Sequence, residues 1–458
     1  MASSLLSKTK SLSKRVNKTH EGGDAKILTE SSEDQLKMLR RSIMCYMLWE
    51  DQFYESGVEI AKRISDTVKK VPLDKALEVA VEAKVGGKLR HAPLFLLVEV
   101  IKNKPTFNYV GVFEKLILRS DELMEMLALY WKDGKKPLPA QMKKGLAKAF
   151  GKFTEYQLSR APKDKTIKLR DVMRLVHPTP KDDEQSAMWK RMIAGELATP
   201  DTWQVRLSAG QNKKETFELL LDENKLGPLD ILRNLNNMSK ASVTETKIVK
   251  AVMALKTERV LPFQFISASK YAGTKTLKNA LEAKMLECVN AHDKLLGKTL
   301  LLVDTSGSMS SKISGKSELS NIDAAAGISI LVRELCEEVV TYEFNNNEIV
   351  VKPELKGFAL AEYLAGRVTG GTELSKSLTN ILKKESGIKR IIIFTDEQSR
   401  GSLRGIALGS ERNYLVNVAA NKNGIDYDDG NWVHISGWSE KVMDYITESE
   451  RVEYSVVD

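Results

Sequence analysis

The spacing of apolar residues changes near residue 295, and this change most constrains what the chain can fold into. From about 28 to 295, apolar residues recur every three or four positions, as at Leu36, Leu39 and Ile43, which predicts amphipathic helices. Short breakers such as HPTP at 177–180 separate the apolar runs. We therefore expect an all-helical region of stacked helix pairs over 28–295.

Strand-like and helix-like patterns alternate after residue 298. KTLLLVD at 298–304 and RIIIFT at 390–395 are short aliphatic runs, and helical patterns lie between them. Strands that alternate with helices predict right-handed crossovers and a mostly parallel sheet covered on both faces. The predicted fold class is thus multidomain, with an all-α region followed by a doubly wound α/β domain over 296–458.

The residues outside these two regions give weaker signals. The segment 1–27 is rich in lysine and serine and predicts a flexible basic arm. No apolar run is long enough for a membrane-spanning helix, so we expect no membrane partner. Cys45, Cys288 and Cys336 are far apart, which excludes a disulfide framework or a CxxC zinc site and fits a reducing, cytoplasmic location.

Charge is distributed unevenly along the chain. Residues 1–296 hold 52 Lys and Arg against 37 Asp and Glu, whereas residues 297–458 hold 18 against 24. A strongly cationic region indicates a polyanionic partner, of which nucleic acid is the commonest. The alternative is a lysine-rich surface that is simply well solvated.

The motif DTSGS at 304–308 follows the first predicted strand. It supplies the Asp304 carboxylate and the hydroxyls of Ser306 and Ser308, and a doubly wound sheet binds ligands at such strand ends. Thr372, after two glycines, and Asp396, after RIIIFT, can point into the same crevice. Hard oxygen ligands suit a divalent ion, and we expect Mg²⁺. For Ser306 and Ser308 alone, the alternative is a turn or a helix cap.

Several features argue against an enzyme. The sequence has no P-loop, GxGxxG, GxSxG or HExxH element. Hydrolysis at the metal site would need a general base, and no histidine lies in the motif loops. Glu373 and Glu397 adjoin site residues, but such loop carboxylates are usually solvated or support a ligand. A metal-dependent hydrolase is thus the least favoured function class.

Lysines and arginines concentrate between 135 and 177. If 141–158 forms one helix, Lys144, Lys148 and Lys152 lie opposite its apolar side, where like charges repel unless a polyanion or Glu155 relieves them. The segment that follows adds further cations, and the turn at 133–139 precedes it. The candidate RNA-binding residues are Lys135, Lys136, Lys144, Lys148, Lys152, Lys168, Arg170, Arg174 and His177. Phosphate contacts from such residues give strong salt dependence without sequence readout.

The order of several stretches along the chain resembles the TROVE-domain family, which includes the Ro autoantigen and its bacterial and phage relatives. The most specific stretches are KLRDVMRLVHPTP at 168–180 and LDILRNLNNM at 229–238. Weaker ones include NKTHEGGDAKILTESSEDQL, MLWEDQFYESG, RHAPLF, GLAKAFGKF, TWQVRLSAG and LPFQFISASKYAG. The DxSxS set with Thr372 and Asp396 resembles the metal-ion-dependent adhesion site of von Willebrand factor A domains, and the TROVE family carries such a domain at its C-terminus.

The resemblance implies a fold and a function that periodicity alone does not. It implies a ring of HEAT-like helical repeats over 28–295, clasped by a Rossmann-like von Willebrand factor A domain. It implies Y-like small non-coding RNA on a basic outer surface, and single-stranded 3′ ends of misfolded or decaying RNA in a central cavity. Lys168, Arg170, Arg174 and His177 match the family's outer-surface site. Val176 departs from it, because the family usually has serine there.

Taken together, these features predict a monomeric, non-enzymatic ring protein of a Ro-type ribonucleoprotein that acts in RNA quality control or tethers a nuclease. An exoribonuclease or another protein with an acidic metal-coordinating group is a further expected partner. The rival prediction is a protein-interaction adaptor that acts through the metal site.

Overall fold

The computed structural model describes residues 32–44, 46, 56–287, 293–313, 319–419, 425 and 431–451. The predicted basic arm at 1–27 lies outside the described residues, as do most of the resembling stretches at 17–36 and 47–57. The chain forms two compact units, and the described residues divide between them after Asp201.

The first unit consists of helices joined by short connections. The helices are α1 (Ser32–Met44), α2 (Gly57–Val68), α3 (Leu73–Val85), α4 (Ala92–Asn103), α5 (Val110–Leu116), α6 (Ser120–Tyr130), α7 (Ala140–Phe150), α8 (Glu155–Ser159), α9 (Leu169–Val176) and α10 (Asp183–Ala194). Most contacts between helices join neighbours or next neighbours along the chain, such as α1 with α2 and α3, or α4 with α6. This local pattern is typical of helical repeats.

Local capping determines where these helices begin. At α2, the Ser56 hydroxyl accepts a hydrogen bond from Glu59 N at 3.2 Å, and Glu59 Oε2 accepts one from Ser56 N at 2.9 Å. This capping box satisfies main-chain donors that the first turn leaves without helical acceptors. The apolar side of each helix is buried, and nearly all of α4 is in the core.

The expected single helix over 141–158 is wrong at its C-terminal end. Helix α7 ends at Phe150, Gly151 caps it, and α8 begins only at Glu155. The reason is a second start signal, because Thr154 and Gln157 form a capping box for α8. Lys152 therefore lies in the connection between the two helices.

A glycine sets the distance between α5 and α7. A Cβ atom built on Gly145 of α7 would lie 2.2 Å from the Phe113 ring of α5. Phe113 is fully buried. The two helices can therefore approach this closely only because residue 145 has no side chain.

The second unit begins with helices and continues as an α/β sheet. Its first helices are α11 (Trp203–Ser208), α12 (Lys213–Asp222), α13 (Pro228–Arg233), α14 (Leu235–Lys240), α15 (Glu245–Met253), α16 (Pro262–Ser269) and α17 (Lys275–Leu286). The α/β elements that follow are β1 (Leu295–Asp304), α18 (Asn321–Leu335), β2 (Cys336–Phe344), β3 (Glu348–Val350), α19 (Gly357–Ala365), α20 (Leu374–Lys384), β4 (Ile388–Thr395), β5 (Arg412–Asn417), β6 (Val433–Ser436) and α21 (Lys441–Arg451).

The six strands form one mixed sheet with the order β3-β2-β1-β4-β5-β6. All pairs are parallel except β2–β3, which is antiparallel at one edge. Consecutive residues Leu300 to Val303 of β1 are all fully buried, so helices or loops cover both faces of the central strand. The prediction of a helical repeat-rich region followed by an α/β region is confirmed.

Helices before the sheet pack directly against helices that cover it within this second unit. A Cβ on Gly327 of α18 would lie 3.1 Å from the main-chain nitrogen of Phe263 in α16. Glu282 of α17 accepts a 2.9 Å hydrogen bond from Phe358 N of α19. Helices α16 and α17 are therefore part of the same packed unit as the sheet.

Candidate metal centre and nucleic-acid interface

The strand order reverses direction between β1 and β4, and Asp304 and Asp396 lie at this point. Asp304 is the last residue of β1, and Asp396 directly follows β4. Loops diverge there toward opposite faces of the sheet, which leaves a crevice at the carboxyl ends of the two strands. Both carboxylates are fully buried.

Hydrogen bonds fix both oxygens of the Asp304 carboxylate. Oδ1 accepts from Ser306 N at 2.8 Å, and Oδ2 accepts from Thr395 Oγ1 at 2.6 Å. Burial, together with the neighbouring charge of Asp396, raises the pKa of Asp304 to about 7. Two buried carboxylates that repel each other provide a site where a cation would be strongly favoured.

The two serines of the DxSxS motif lie in the turn after β1. Their hydroxyl oxygens are 3.2 Å apart, and both residues are buried. A 3₁₀ turn over Gly307–Ser310 begins here, and Met309 N donates to Ser306 O at 3.0 Å. The turn therefore brings two hydroxyls to the same place as the Asp304 carboxylate.

Main-chain hydrogen bonds hold the Thr372 loop between the other two loops. On one side, Gly307 N donates to Gly370 O at 3.0 Å. On the other, Arg400 N donates to Thr372 O at 3.0 Å, and the Ser399 hydroxyl donates to the same oxygen at 3.1 Å. Thr372 itself is buried. The loops that carry all five predicted ligands are thus bonded together at one edge of the sheet.

The donors at this edge suit a hard divalent ion. Two carboxylates and three hydroxyls are all oxygen ligands, which Mg²⁺ prefers. Within the described residues, no group of three or more His, Cys, Asp and Glu side chains has the arrangement of a metal site. The residues present therefore fit Mg²⁺ better than a thiolate- or imidazole-bound metal.

Two residues at this edge differ from the expectation based on the sequence. Thr395, which holds Asp304, was not among the predicted site residues. Glu397, expected as either solvated or supporting, is fully buried, has a positive φ of 57°, and pairs with His434 Nδ1 at 3.3 Å. The solvated interpretation of Glu397 is therefore wrong. A polar residue at the end of a buried strand was the signal that identified Asp304, and Thr395 carries the same signal.

Helix α9 presents a cationic side to solvent. Arg170, Arg174 and His177 are spaced i, i+4 and i+7, so they lie on one side of the helix, and all three are exposed. Leu169, Val172, Met173 and Val176 are buried. Helix α9 contacts α6, α7 and α10. We call Arg170, Arg174 and His177, with exposed Lys168 at the start of the helix, the α9 surface.

Both ends of α9 are fixed by its own residues. Lys168 N donates to Asp171 Oδ2 at 2.9 Å, so the first turn is capped. His177 ends the helix in the left-handed region with φ 48°, and its N–H donates to Met173 O at 2.9 Å. Within the described part of the chain, none of the four side chains of the α9 surface forms an ion pair. Val176 is a core position here, so a hydroxyl at that position would not face solvent.

The other candidate lysines occupy different surroundings. Lys135 and Lys136 are exposed and lie over the rings of Trp131 at 5.7 Å and Tyr130 at 4.7 Å. Lys144 is exposed on α7. These contacts leave the ammonium groups of Lys135 and Lys136 accessible while an aromatic ring supports each one.

Two of the three α7-region lysines are engaged with Glu114. Lys148 pairs with its carboxylate at 2.6 Å, and Lys152 donates to its carbonyl oxygen at 2.6 Å. Partial burial lowers the pKa of Lys152. The three lysines therefore do not form the single repelling stripe that a continuous helix predicted, because the helix ends before Lys152 and Glu114 neutralises Lys148.

The comparisons with known proteins agree on one fold. The TROVE domain matches residues 180–338, beginning at the end of the stretch KLRDVMRLVHPTP. The crystal structure of the RO (RSR) protein of Deinococcus radiodurans is similar over 89% of this chain and 98% of that chain, with a TM-score of 0.55 and 18% sequence identity. This chain has the fold of that RO protein. No curated protein matches the sequence.

The likeness covers both the helical region and the sheet, since nearly the full length of each chain is included. Among the described helices, none is both long and apolar enough to cross a membrane.

Proposed function

We propose that this chain is a Ro-like RNA-binding protein that holds structured RNA on the α9 surface. The observation that carries the proposal is a set of exposed cations, Lys168, Arg170 and Arg174, that have no carboxylate partner among the described residues. Unpaired cations on a rigid helix offer phosphates charge-assisted hydrogen bonds without first breaking an ion pair. The TROVE match and the fold of the RO protein support this function.

The α9 surface is suited to recognising the shape and charge of an RNA rather than its base sequence. Arg170 and Arg174 are one turn apart, so their guanidinium groups can contact neighbouring phosphates of one strand. His177 adds a planar ring at the end of the same side, where it can stack on a base or donate to a phosphate. Such contacts hold a folded RNA by its backbone, as expected for a Y-like small non-coding RNA.

The resemblance to the TROVE family adds two finer proposals. In that family, helical repeats close into a ring whose cavity takes single-stranded 3′ ends, and we propose the same role for this chain in recognising misfolded or decaying RNA. Its partner would then be a nuclease that receives the RNA. The chain itself would act without catalysis.

We also propose that the α/β part is a von Willebrand factor A domain that binds Mg²⁺. Asp304, Ser306, Ser308, Thr372 and Asp396 would hold the ion, and the ion would neutralise the two buried carboxylates. Its chemistry there is to attract an acidic group of a partner protein. The buried donor set thus favours a second candidate function, a metal-dependent interaction adaptor, which is compatible with RNA binding.

One experiment separates these functions. The protein is purified from cells with its bound RNA, and the RNA is sequenced. Enrichment of one or a few small structured RNAs, lost in Arg170→Ala with Arg174→Ala, is the expected result. Recovery of no RNA above background would refute RNA binding and leave the adaptor.

Asp304→Ala serves as the matched variant. It should abolish Mg²⁺ binding measured by calorimetry and leave the recovered RNA unchanged, because the α9 surface contains no metal ligand. RNA turnover by the wild type that disappears in Asp304→Ala would contradict the non-enzymatic role.

A further inference from the structure

A cleft of about 430 Å³ opens at the start of α12, and none of its wall residues belongs to either candidate site. Its walls come from the beginning of α12 and from α14, and they include Lys213, Lys214 and Lys240. A volume of this size lies within the range that holds a small-molecule ligand. All three lysines are exposed, so a ligand can reach their ammonium groups from solvent.

The charge balance of the cleft is positive. Glu215 is the only acidic residue on its wall, against three lysines. Further along α12, Glu218 accepts from the Thr244 hydroxyl at 2.7 Å and Asp222 accepts from Lys247 at 2.7 Å. The hydrogen bonds from Thr244 lower the pKa of Glu218, and the charge of Lys214 adds to this shift. Within the described residues, the cleft lysines form no ion pair. The charges of Lys213 and Lys240 are therefore available to an anion in the cleft, whereas Lys214 also interacts with the charge of Glu218.

Two carboxamides add directional hydrogen bonding. Asn212 uses its Oδ1 to accept from Lys214 N at 2.9 Å and Glu215 N at 3.2 Å, which leaves its Nδ2 as a donor. Asn237 donates from Nδ2 to Asn234 Oδ1 at 2.9 Å, which leaves its Oδ1 as an acceptor. The cleft thus combines ammonium groups for an anion with one amide donor and one amide acceptor for a polar, planar group.

We infer that this cleft binds a nucleoside monophosphate, with the phosphate on Lys213 and Lys240 and the base against Asn212 and Asn237. A simple inorganic anion would leave the carboxamides and most of the volume unused. An uncharged nucleoside would leave the lysines unneutralised. The phosphate and the base can come from a free nucleotide or from the terminal nucleotide of an RNA strand. The inference does not depend on the α9 surface, which lies in the other compact unit.

The test begins with calorimetric titration of the full-length protein with adenosine 5′-monophosphate, adenosine and inorganic phosphate. The nucleotide should bind more tightly than either fragment by about tenfold or more, since each lysine–phosphate hydrogen bond is charge-assisted. Lys213→Ala with Lys240→Ala should weaken nucleotide binding by a similar factor. The double arginine variant of the same positions should retain it, and Lys275→Ala, an exposed lysine on α17, is the matched control.

A second arm identifies the source of the ligand. Short oligoribonucleotides with a 5′-phosphate, a 3′-phosphate or neither are titrated in the same way. A phosphorylated end that binds more tightly than the free nucleotide, and loses this advantage in the double alanine variant, assigns the cleft to strand ends. Tighter binding of the free nucleotide assigns it to nucleotides in solution. Either result supports the inference.

Two results would overturn it. One is no binding of the nucleotide or of any oligonucleotide end at millimolar concentration. The other is binding that the double alanine variant retains in full. Failure of the α9 proposal is recognised separately, because Arg170→Ala with Arg174→Ala should leave nucleotide binding in the cleft unchanged.

Discussion

The Thr395 hydroxyl links the two halves of the candidate metal centre. It donates to Asp304 Oδ2 at 2.6 Å, and it accepts from Glu397 N at 3.0 Å. Since the same oxygen contacts the loop that contains Asp396, it fixes the orientation of one carboxylate relative to the other. Groups that orient metal ligands contribute to metal affinity although they do not touch the ion.

We therefore predict that Thr395→Val weakens Mg²⁺ binding by about tenfold or more, measured by calorimetry on the purified protein. Thr395→Ser keeps the hydroxyl and should bind Mg²⁺ like the wild type. Equal affinity of the valine and serine variants would show that the hydroxyl does not position Asp304.

A buried ion pair holds the first unit together at the residue scale. Lys84 Nζ lies 2.7 Å from Glu122 Oε1, and both side chains are almost fully buried. Glu122 Oε2 also accepts from Arg119 N at 3.1 Å and so caps α6, and it accepts from Leu118 N at 2.7 Å. Burial lowers the pKa of Lys84, although the charge of Glu122 opposes the shift.

Removal of one partner of this ion pair should strongly lower the stability, because the other charge is then buried without an opposite charge beside it. We predict that Lys84→Met lowers the free energy of unfolding by about 3–5 kcal/mol, measured by urea denaturation. Lys84→Met with Glu122→Gln should be more stable than Lys84→Met alone, since glutamine keeps an acceptor for the cap without a buried charge. A double variant less stable than the single one would contradict this assignment.

Close packing between α5 and α7 gives a prediction at the scale of elements. Gly145→Ala should lower the free energy of unfolding by about 1–3 kcal/mol, because the new methyl group overlaps the Phe113 ring and the core must shift. The matched control is Gly111→Ala on α5, where nothing lies within 4 Å of the added Cβ.

The control substitution should change the free energy of unfolding in the opposite direction. Alanine at position 111 should raise the stability by about 0.5–1 kcal/mol, because it restricts the unfolded chain and favours the helix. Chemical denaturation of both variants measures the two changes in the free energy of unfolding. A stabilised Gly145→Ala protein would mean that α5 and α7 are further apart than described.

At the same scale, the sequence predicted element types better than element ends. The strands β1 and β4 were predictable because their aliphatic runs have no helical period. The end of α7 was not predictable, because the apolar spacing continues through Phe153. The capping box of Thr154 with Gln157 nevertheless starts a separate helix there. The correction moves Lys152 from a helix side to a connection.

The candidate metal centre shows the same limit on prediction from sequence. The meeting of the loops that carry the five candidate oxygen donors was predictable, because parallel strand ends lie at one edge of a sheet, whatever the details of packing. The bond between Asp304 and Thr395 was not, because it depends on the register of two strands whose residues are 91 positions apart. Side-chain pairing between distant segments is decided by tertiary packing rather than by local pattern.

At the scale of the whole molecule, the structure shows where part of the excess positive charge of the sequence lies. The excess of lysine and arginine before residue 297 includes the α9 surface, whose cations have no carboxylate partner in the part of the chain that the structure describes. Lys148 and Lys84, in contrast, are neutralised within the fold. Net charge alone does not distinguish these cases. We therefore propose that the cations of this one helix, which form no ion pair among the described residues, bind RNA through its phosphates.

The salt dependence of RNA binding tests this claim most directly. The affinity for a stem–loop RNA is measured at several salt concentrations for the wild type, for Arg170→Ala with Arg174→Ala, and for the control Lys70→Ala with Lys104→Ala, two exposed lysines outside the α9 surface. The arginine variant should bind more weakly, and its plot of log affinity against log salt should be flatter by about one to two units, because fewer counterions are released. A slope and affinity equal to those of the wild type would contradict the account.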